Sequence, residues 1–244
     1  MTGGREPSDQ NAVAVSSAWA RLASEWNTRA MRHLILVLAL LLATPAGGFD
    51  RPGERPLSDV LQILILQREV RAIDAVGGEL VQSLERGEPV LWSDTRGRVG
   101  VVLTDRRVLA VTSRSGSWQE SRYRLRETPP AEAFLGDQVA LVITPSRAIG
   151  LDGGSGNLIE QSLGPGERVL AIDVGENVGV VVTDRRALGL SPFTGGFFET
   201  HLPPGERYER VEASANFASV HTSRRVLNFR APSGRWTETR LPLH

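Results

Sequence analysis

The sequence predicts an all-β fold of repeated four-stranded units, and two observations predict it. From about residue 52 to the C-terminus, one pattern of roughly 39 residues returns five times. Within each return, short runs rich in Val, Leu, Ile, Thr and aromatics are bounded by Gly, Pro, Asn and Asp, the composition of strands and turns. A period of this size made of short strands marks a β-propeller. The predicted architecture is a small five-bladed propeller of four-stranded blades, preceded by an N-terminal signal or anchor segment.

The clearest block is an apolar run, a Thr, a short charged turn ending in Arg, and a second apolar run. It reads Val101-Val102-Leu103-Thr104-Asp105-Arg106-Arg107-Val108-Leu109 in the second copy. The third copy carries Thr144 and Arg147, the fourth Thr183 and Arg186, and the fifth Thr222 and Arg225. The anchor Arg therefore steps from 107 to 147, 186 and 225. The first copy is degenerate, and its anchor reads as Arg71 within Gln67-Arg68-Glu69-Val70-Arg71.

Each anchor is followed by a Gly and a large apolar residue: Gly78 and Leu80, Gly116 and Trp118, Gly156 and Leu158, Gly195 and Phe197, Gly234 and Trp236. A Leu then closes each unit, at Leu84, Leu125, Leu163, Leu202 and Leu241. Turns containing Pro or Gly with a Glu join the units, placing Glu54, Glu88, Glu132, Glu167 and Glu206 once per repeat.

In the fourth copy the strands fall at about 168–174, 178–183, 187–192 and 196–202. The second strand of each unit is a nearly continuous apolar run, as expected where neighbouring blades cover both faces. One blade cannot bury two faces alone, and stacking around an axis does so while leaving short edges. Five copies predict a closed ring of five, with an open stack or half of a larger ring as alternatives. The first copy has the weakest inner strand, Pro56-Leu57-Ser58-Asp59-Val60.

Ahead of the repeats, Met31-Arg32-His33 leads into an apolar run at 34–43 and then Thr44-Pro45-Ala46-Gly47. A short basic start, about ten apolar residues and a small-residue cleavage site read as a signal peptide. A transmembrane helix needs roughly 20 apolar residues, so the run is short for a span. The domains expected are therefore a tail or mis-called start at 1–30, a signal peptide or signal anchor at 31–46, and the propeller at 47–244. The expected location is periplasmic or secreted; retention of the 34–43 segment would instead anchor the chain in the inner membrane with the propeller outside the cytoplasm.

The chain has no Cys, which excludes disulfides and thiolate metal sites. All 28 basic residues are Arg and 28 residues are acidic, so the formal net charge is zero. No global field argues for nucleic acid. No Gly-rich phosphate loop or nucleophile elbow occurs, and His33, His201, His221 and His244 lack ligand spacing. No cofactor or metal is expected.

The recurring Arg and Glu share one face of a propeller. They offer an anion site or, favoured by their recurrence in every copy, a ring of ion pairs that stitches blades together. Asp105 and Asp184 fit turn formation through bonds to their own backbone. Trp118, Trp236 and Phe197 read as packing residues, with sugar stacking as the alternative. On the opposite face the first-to-second-strand loops differ between copies, which a binding site requires. The candidate binding face is Asp94, Arg96, Arg98, Asp137, Asp173, Glu176, Asn177 and Asn216. Paired carboxylates among Asp94, Asp137, Asp173 and Glu176 would suit glycoside hydrolysis, against a reading as solvated turn residues.

The turn-Gly-aromatic rhythm from about 52 to 241 resembles generic bacterial β-propeller repeat proteins. It lacks the Trp-Asp ending of WD repeats and the double Gly of kelch repeats, and is similar in outline to five-bladed lectin propellers. That resemblance implies fold and no catalytic or ligand motif. The expected function is an exported, non-catalytic scaffold that binds a protein partner. The alternatives are a carbohydrate-binding module and a glycoside-active enzyme.

Overall fold

The computed structural model describes residues 60–75 and 78–241. The chain divides into two units, residues 1–54 and 55–244. The expected tail at 1–30, the signal segment at 31–46, Glu54 and most of the inner strand expected at 56–60 lie outside the described residues.

Nineteen strands form five antiparallel sheets among the described residues. The first blade holds β1 (Leu61–Ile65), β2 (Glu69–Asp74) and β3 (Glu79–Ser83). The second holds β4 (Val90–Arg96), β5 (Val99–Thr104), β6 (Arg107–Thr112) and β7 (Gln119–Arg122). The third holds β8 (Phe134–Leu135), β9 (Val139–Ile143), β10 (Arg147–Asp152) and β11 (Leu158–Ser162). The fourth holds β12 (Val169–Val174), β13 (Gly179–Thr183), β14 (Arg186–Ser191) and β15 (Gly196–His201), within two residues of the sequence expectation. The fifth holds β16 (Tyr208–Ala213), β17 (Phe217–Thr222), β18 (Arg225–Arg230) and β19 (Arg235–Arg240). Each blade is a meander in which consecutive strands pair.

The two middle strands carry the core. Every residue of β5, β6 and β10 is buried, as is every residue of β13. Their side chains alternate between two faces, so each middle blade packs against both neighbours. Four apolar clusters fill the four gaps. Leu61, Val70 and Ala72 meet Val102, Leu109 and Val111 between the first and second blades. Val101, Leu103 and Val108 meet Ala140, Ile149 and Leu151 in the next gap, and Leu141 and Ala148 meet Val181 and Leu188 in the third. Val180, Val182 and Ala187 meet Val220, Leu227 and Phe229 in the last. Fully burying each Val, Leu, Ile or Phe side chain among them contributes about 1.5–3 kcal/mol.

The order of packing follows the order of the chain. At its two ends the outward faces are open: Leu64, Ile73 and Val81 of the first blade and Phe217 of the fifth are 38%, 37%, 50% and 51% exposed. Among the described residues, no fifth apolar cluster joins the last blade to the first.

Candidate functional site

The anchor arginines sit at the hairpins between the second and third strands. Thr104, Thr144, Thr183 and Thr222 close these hairpins, each hydroxyl accepting the backbone N–H of the anchor three residues on. This fixes the Arg at the start of the third strand and sends its side chain toward the preceding blade. Arg107 Nε donates to Glu88 at 2.8 Å, Arg186 to Glu167 at 2.9 Å and Arg225 to Glu206 at 3.0 Å. Arg147 donates through Nη2 to Glu127 at 2.9 Å. Each guanidinium also reaches a backbone carbonyl on the outer strand of the previous blade: Ser83 at 2.9 Å, Arg122 at 2.6 Å, Ser162 at 2.7 Å and His201 at 2.8 Å. A second glutamate completes each anchor, at Glu120, Glu160, Glu199 and Glu238.

The stitching reading of the Arg and Glu set therefore holds, with three corrections. Glu132 is not the ring glutamate of its repeat; Glu127 is. Tyr123, not Leu125, closes the second unit, its N–H bonding Arg106 O as Leu163 bonds Ser146 O. Leu125 is 93% exposed. In the first blade the anchor register belongs to Glu69, because Leu66 N donates to Glu69 O just as Thr144 N donates to Arg147 O. Arg71 lies two residues further on and pairs with Glu69 and Glu79 instead.

Burial pushes the Glu127 carboxyl up, but hydrogen bonds from Arg147, the Arg124 N–H, Ser146 and Thr144 outweigh it and hold the group down at about 2. The same balance lowers Glu88, Glu167 and Glu206. These carboxylates are spent on structure, with side chains 0–3% exposed.

Above them lies a second set of arginines. Arg68, Arg185 and Arg224 precede the anchor position by one residue, and Arg86, Arg126 and Arg207 belong to the inter-blade turns. None of the six has a carboxylate within ion-pair distance among the described residues. All six are exposed. Arg185 and Arg224 drape over the turns at Gly166 and Gly205, and Arg68 and Arg86 line one shallow depression beside Gly87. Arg126 has φ 75°, the left-handed conformation taken at the matching positions by Gly87, Gly166 and Gly205. Leu125, the turn residue before it, stands in solvent at the same rim.

The opposite face gathers the loops of the candidate binding face into a seam. Backbone N–H groups link blade to blade: Val60 to Gly97 O at 3.0 Å, Arg98 to Asp137 O at 2.8 Å, Gln138 to Glu176 O at 2.8 Å and Asn177 to Ala215 O at 2.8 Å. Side chains reinforce it. Arg96 pairs with Asp137 at 3.2 Å, Asn177 donates to Asn216 at 2.8 Å, and Asp173 accepts from Val174 N and Ala213 N. Asp94 accepts from Thr95 N at 2.8 Å, and Glu176 is exposed. The seam explains a signal that the sequence reading passed over. Gly97, Gly136 and Gly175 recur every 39 residues, and a Cβ on Gly136 or Gly175 would lie 2.0 or 1.7 Å from a carbonyl of the next loop. The fourth member of that series is Ser214, in the fifth blade, where no described loop follows.

Trp118 and Trp236 are packing residues. Trp118 is 8% exposed and its indole N–H donates to Leu80 O; Trp236 donates likewise to Phe198 O. Both pin one blade to the one before, so neither offers a free sugar-stacking face. Asp184 accepts from Arg168 as a turn residue. Among the described residues no three His, Cys, Asp or Glu side chains gather to hold a metal ion.

No protein-family model matches the chain, and no curated protein matches it. Solved structures are similar to it at low identity. Prp20p from Saccharomyces cerevisiae aligns at 8% identity and a TM-score of 0.36, over 70% of this chain and 55% of that one. BamB from Moraxella catarrhalis aligns at 18% and 0.33, over 76% and 65%. AztD from Citrobacter koseri aligns at 17% and 0.37, over 70% and 52%. The chain spans little more than half the length of most of these structures.

Proposed function

We propose that the chain is an exported, non-catalytic scaffold of the periplasm or envelope that docks an acidic segment of a partner protein on its arginine rim. One observation carries the reading: among the described residues six exposed arginines on one face have no ion-pair partner, while Glu88, Glu127, Glu167 and Glu206 of that face are buried on the anchor arginines. Guanidinium groups bind carboxylates in pairs of parallel hydrogen bonds, and unpaired ones on a rigid rim are poised to do so. Leu125, exposed at the same rim, adds an apolar contact.

The test uses the full chain and an Arg185→Glu/Arg224→Glu variant, each cross-linked in its native envelope. The reading expects one stoichiometric protein, cross-linked through an acidic stretch, that the variant fails to capture. Equal capture by both forms, or retention on glycan material alone, overturns it. Export is supported by the basic, apolar and small-residue order of residues 31–47. N-terminal sequencing of the protein from cells should find Gly47 first; a start upstream of residue 34 would make the segment an anchor.

A further inference from the structure

The outward face of the fifth blade departs from the repeat in a consistent direction. Where the fourth blade has Val178, Val180, Val182, Gly189 and Phe198, the fifth has Phe217, Ser219, His221, Asn228 and Thr237. The fourth-blade residues pack on the next blade; a Cβ on Gly189 would lie 2.6 Å from the ring of Phe229. Their fifth-blade counterparts face outward in rows set by strand register. Phe217 lies beside Arg230 and Arg235, and Glu212, Ser219, Asn228 and Thr237 form the next row.

This face is more than a solvated end. Phe217 is 51% exposed, which a purely polar end would not require. Arg230 and Arg235 are exposed and, among the described residues, pair with no carboxylate. Ser219 donates to Asn228 Oδ1 at 2.6 Å, which fixes the amide and turns its NH2 group outward as a donor. A shallow groove runs over Phe217, Asn228, Arg230 and Thr237, walled by Pro232 of the short 3-10 turn at Ala231–Ser233.

We propose that this groove binds a saccharide bearing a carboxylate. The ring of Phe217 offers a flat apolar surface to the C–H face of a sugar, Asn228 and Thr237 offer hydrogen bonds to hydroxyls, and the two guanidiniums pair with the acid group. The rows stand on neighbouring strands of one sheet, so the groups are held in place before binding. The site is on a different face from the arginine rim and shares no residue with it.

The full chain is titrated calorimetrically with a tetramer of galacturonate and with a neutral galactose tetramer. The acidic tetramer binds, and the neutral one binds at least tenfold more weakly. Phe217→Ala and Arg230→Ser each weaken binding at least tenfold without moving the melting temperature, because both side chains are exposed. Arg185→Glu, on the rim, leaves sugar binding unchanged. Equal affinity for the two tetramers overturns the proposal, as does binding that survives both groove variants or an acidic peptide that binds the groove as tightly.

Discussion

Arg147 and Glu127 meet through two hydrogen bonds, Nε to Oε1 at 3.1 Å and Nη2 to Oε2 at 2.9 Å, with both side chains almost wholly buried. The pair joins the turn after the second blade to the third blade's own core strand, and Arg147 continues to a carbonyl of the second blade. Buried pairs cost desolvation to form, yet removing one partner leaves a charge with no water and no counter-ion.

Glu127→Gln should therefore destabilise the protein by about 3 kcal/mol at neutral pH. The carboxyl has a folded pKa of about 2 against an ordinary 4.5. A lowered pKa means that its stabilisation is complete above about 4.5 and is lost as pH falls from there toward 2. Glu88, Glu167 and Glu206 are lowered too and add to the same acid-side loss. Urea unfolding between pH 2 and 7 checks it. The variant should lose less stability on acidification than the parent; parallel curves would remove Glu127 as a contributor.

The fold was legible because its period was long and its strands were apolar. The four strands of the fourth blade fell within two residues of their places. Weak copies are hard to register, because residue type and spacing disagree in them. Glu127 stands 39 after Glu88 and 40 before Glu167, and Tyr123 stands 39 after Leu84, yet Glu132 and Leu125 have the more familiar neighbours. The first-blade anchor slipped by two, since Arg71 matched in type what Glu69 matches in register. The loops named for the candidate face lie side by side, but sequence could not show that their polar groups bond one another. The 39-residue Gly series was visible and pointed there.

That series makes a sharp contrast. Gly175→Ala should destabilise strongly, by several kcal/mol, because its Cβ would sit 1.7 Å from Ser214 O. Ser214→Gly, at the equivalent place one blade on, should stay within about 0.5 kcal/mol, since Ser214 is exposed. Thermal unfolding of the two variants separates them. Similar melting temperatures would mean that the loops relax around the added methyl.

Arg126 occupies a conformation that costs an L-residue roughly 1–2 kcal/mol, and glycine holds the matching turns. Arg126→Gly should leave the fold as stable or up to about 1 kcal/mol more so, offset by the entropy of a freer unfolded chain. If the rim docks a partner, the same variant weakens capture while stability is unharmed. Stability lost on Arg126→Gly would show that the side chain, not the turn, is what matters there.

Trp118→Ala should cost about 3–5 kcal/mol, the usual loss for a buried aromatic. Its ring fills the gap between the first two blades and its N–H bonds Leu80 O at 3.0 Å. Because the first blade has one described neighbour, its strands should lose hydrogen-exchange protection ahead of the fourth blade's. Uniform loss across all blades would instead mean that the stack unfolds as one unit.

The end of the stack is written in side chains, and it is reversible in principle. Ser219, His221 and Asn228 stand where the fourth blade has Val180, Val182 and Gly189, which are the residues that accept another blade. A Ser219→Val/His221→Val/Asn228→Gly variant restores that surface, and among the described residues no strand covers it. An uncovered apolar sheet face is an association site. The variant's weight-average mass in sedimentation should rise with concentration more steeply than the parent's. Its partner surface would be the first blade's outward face, where Leu64, Ile73 and Val81 are exposed, so adding Ile73→Glu should reverse the rise. A variant that sediments like the parent would mean that the polar residues do not end the stack, and that their place on the fifth blade is owed to a ligand.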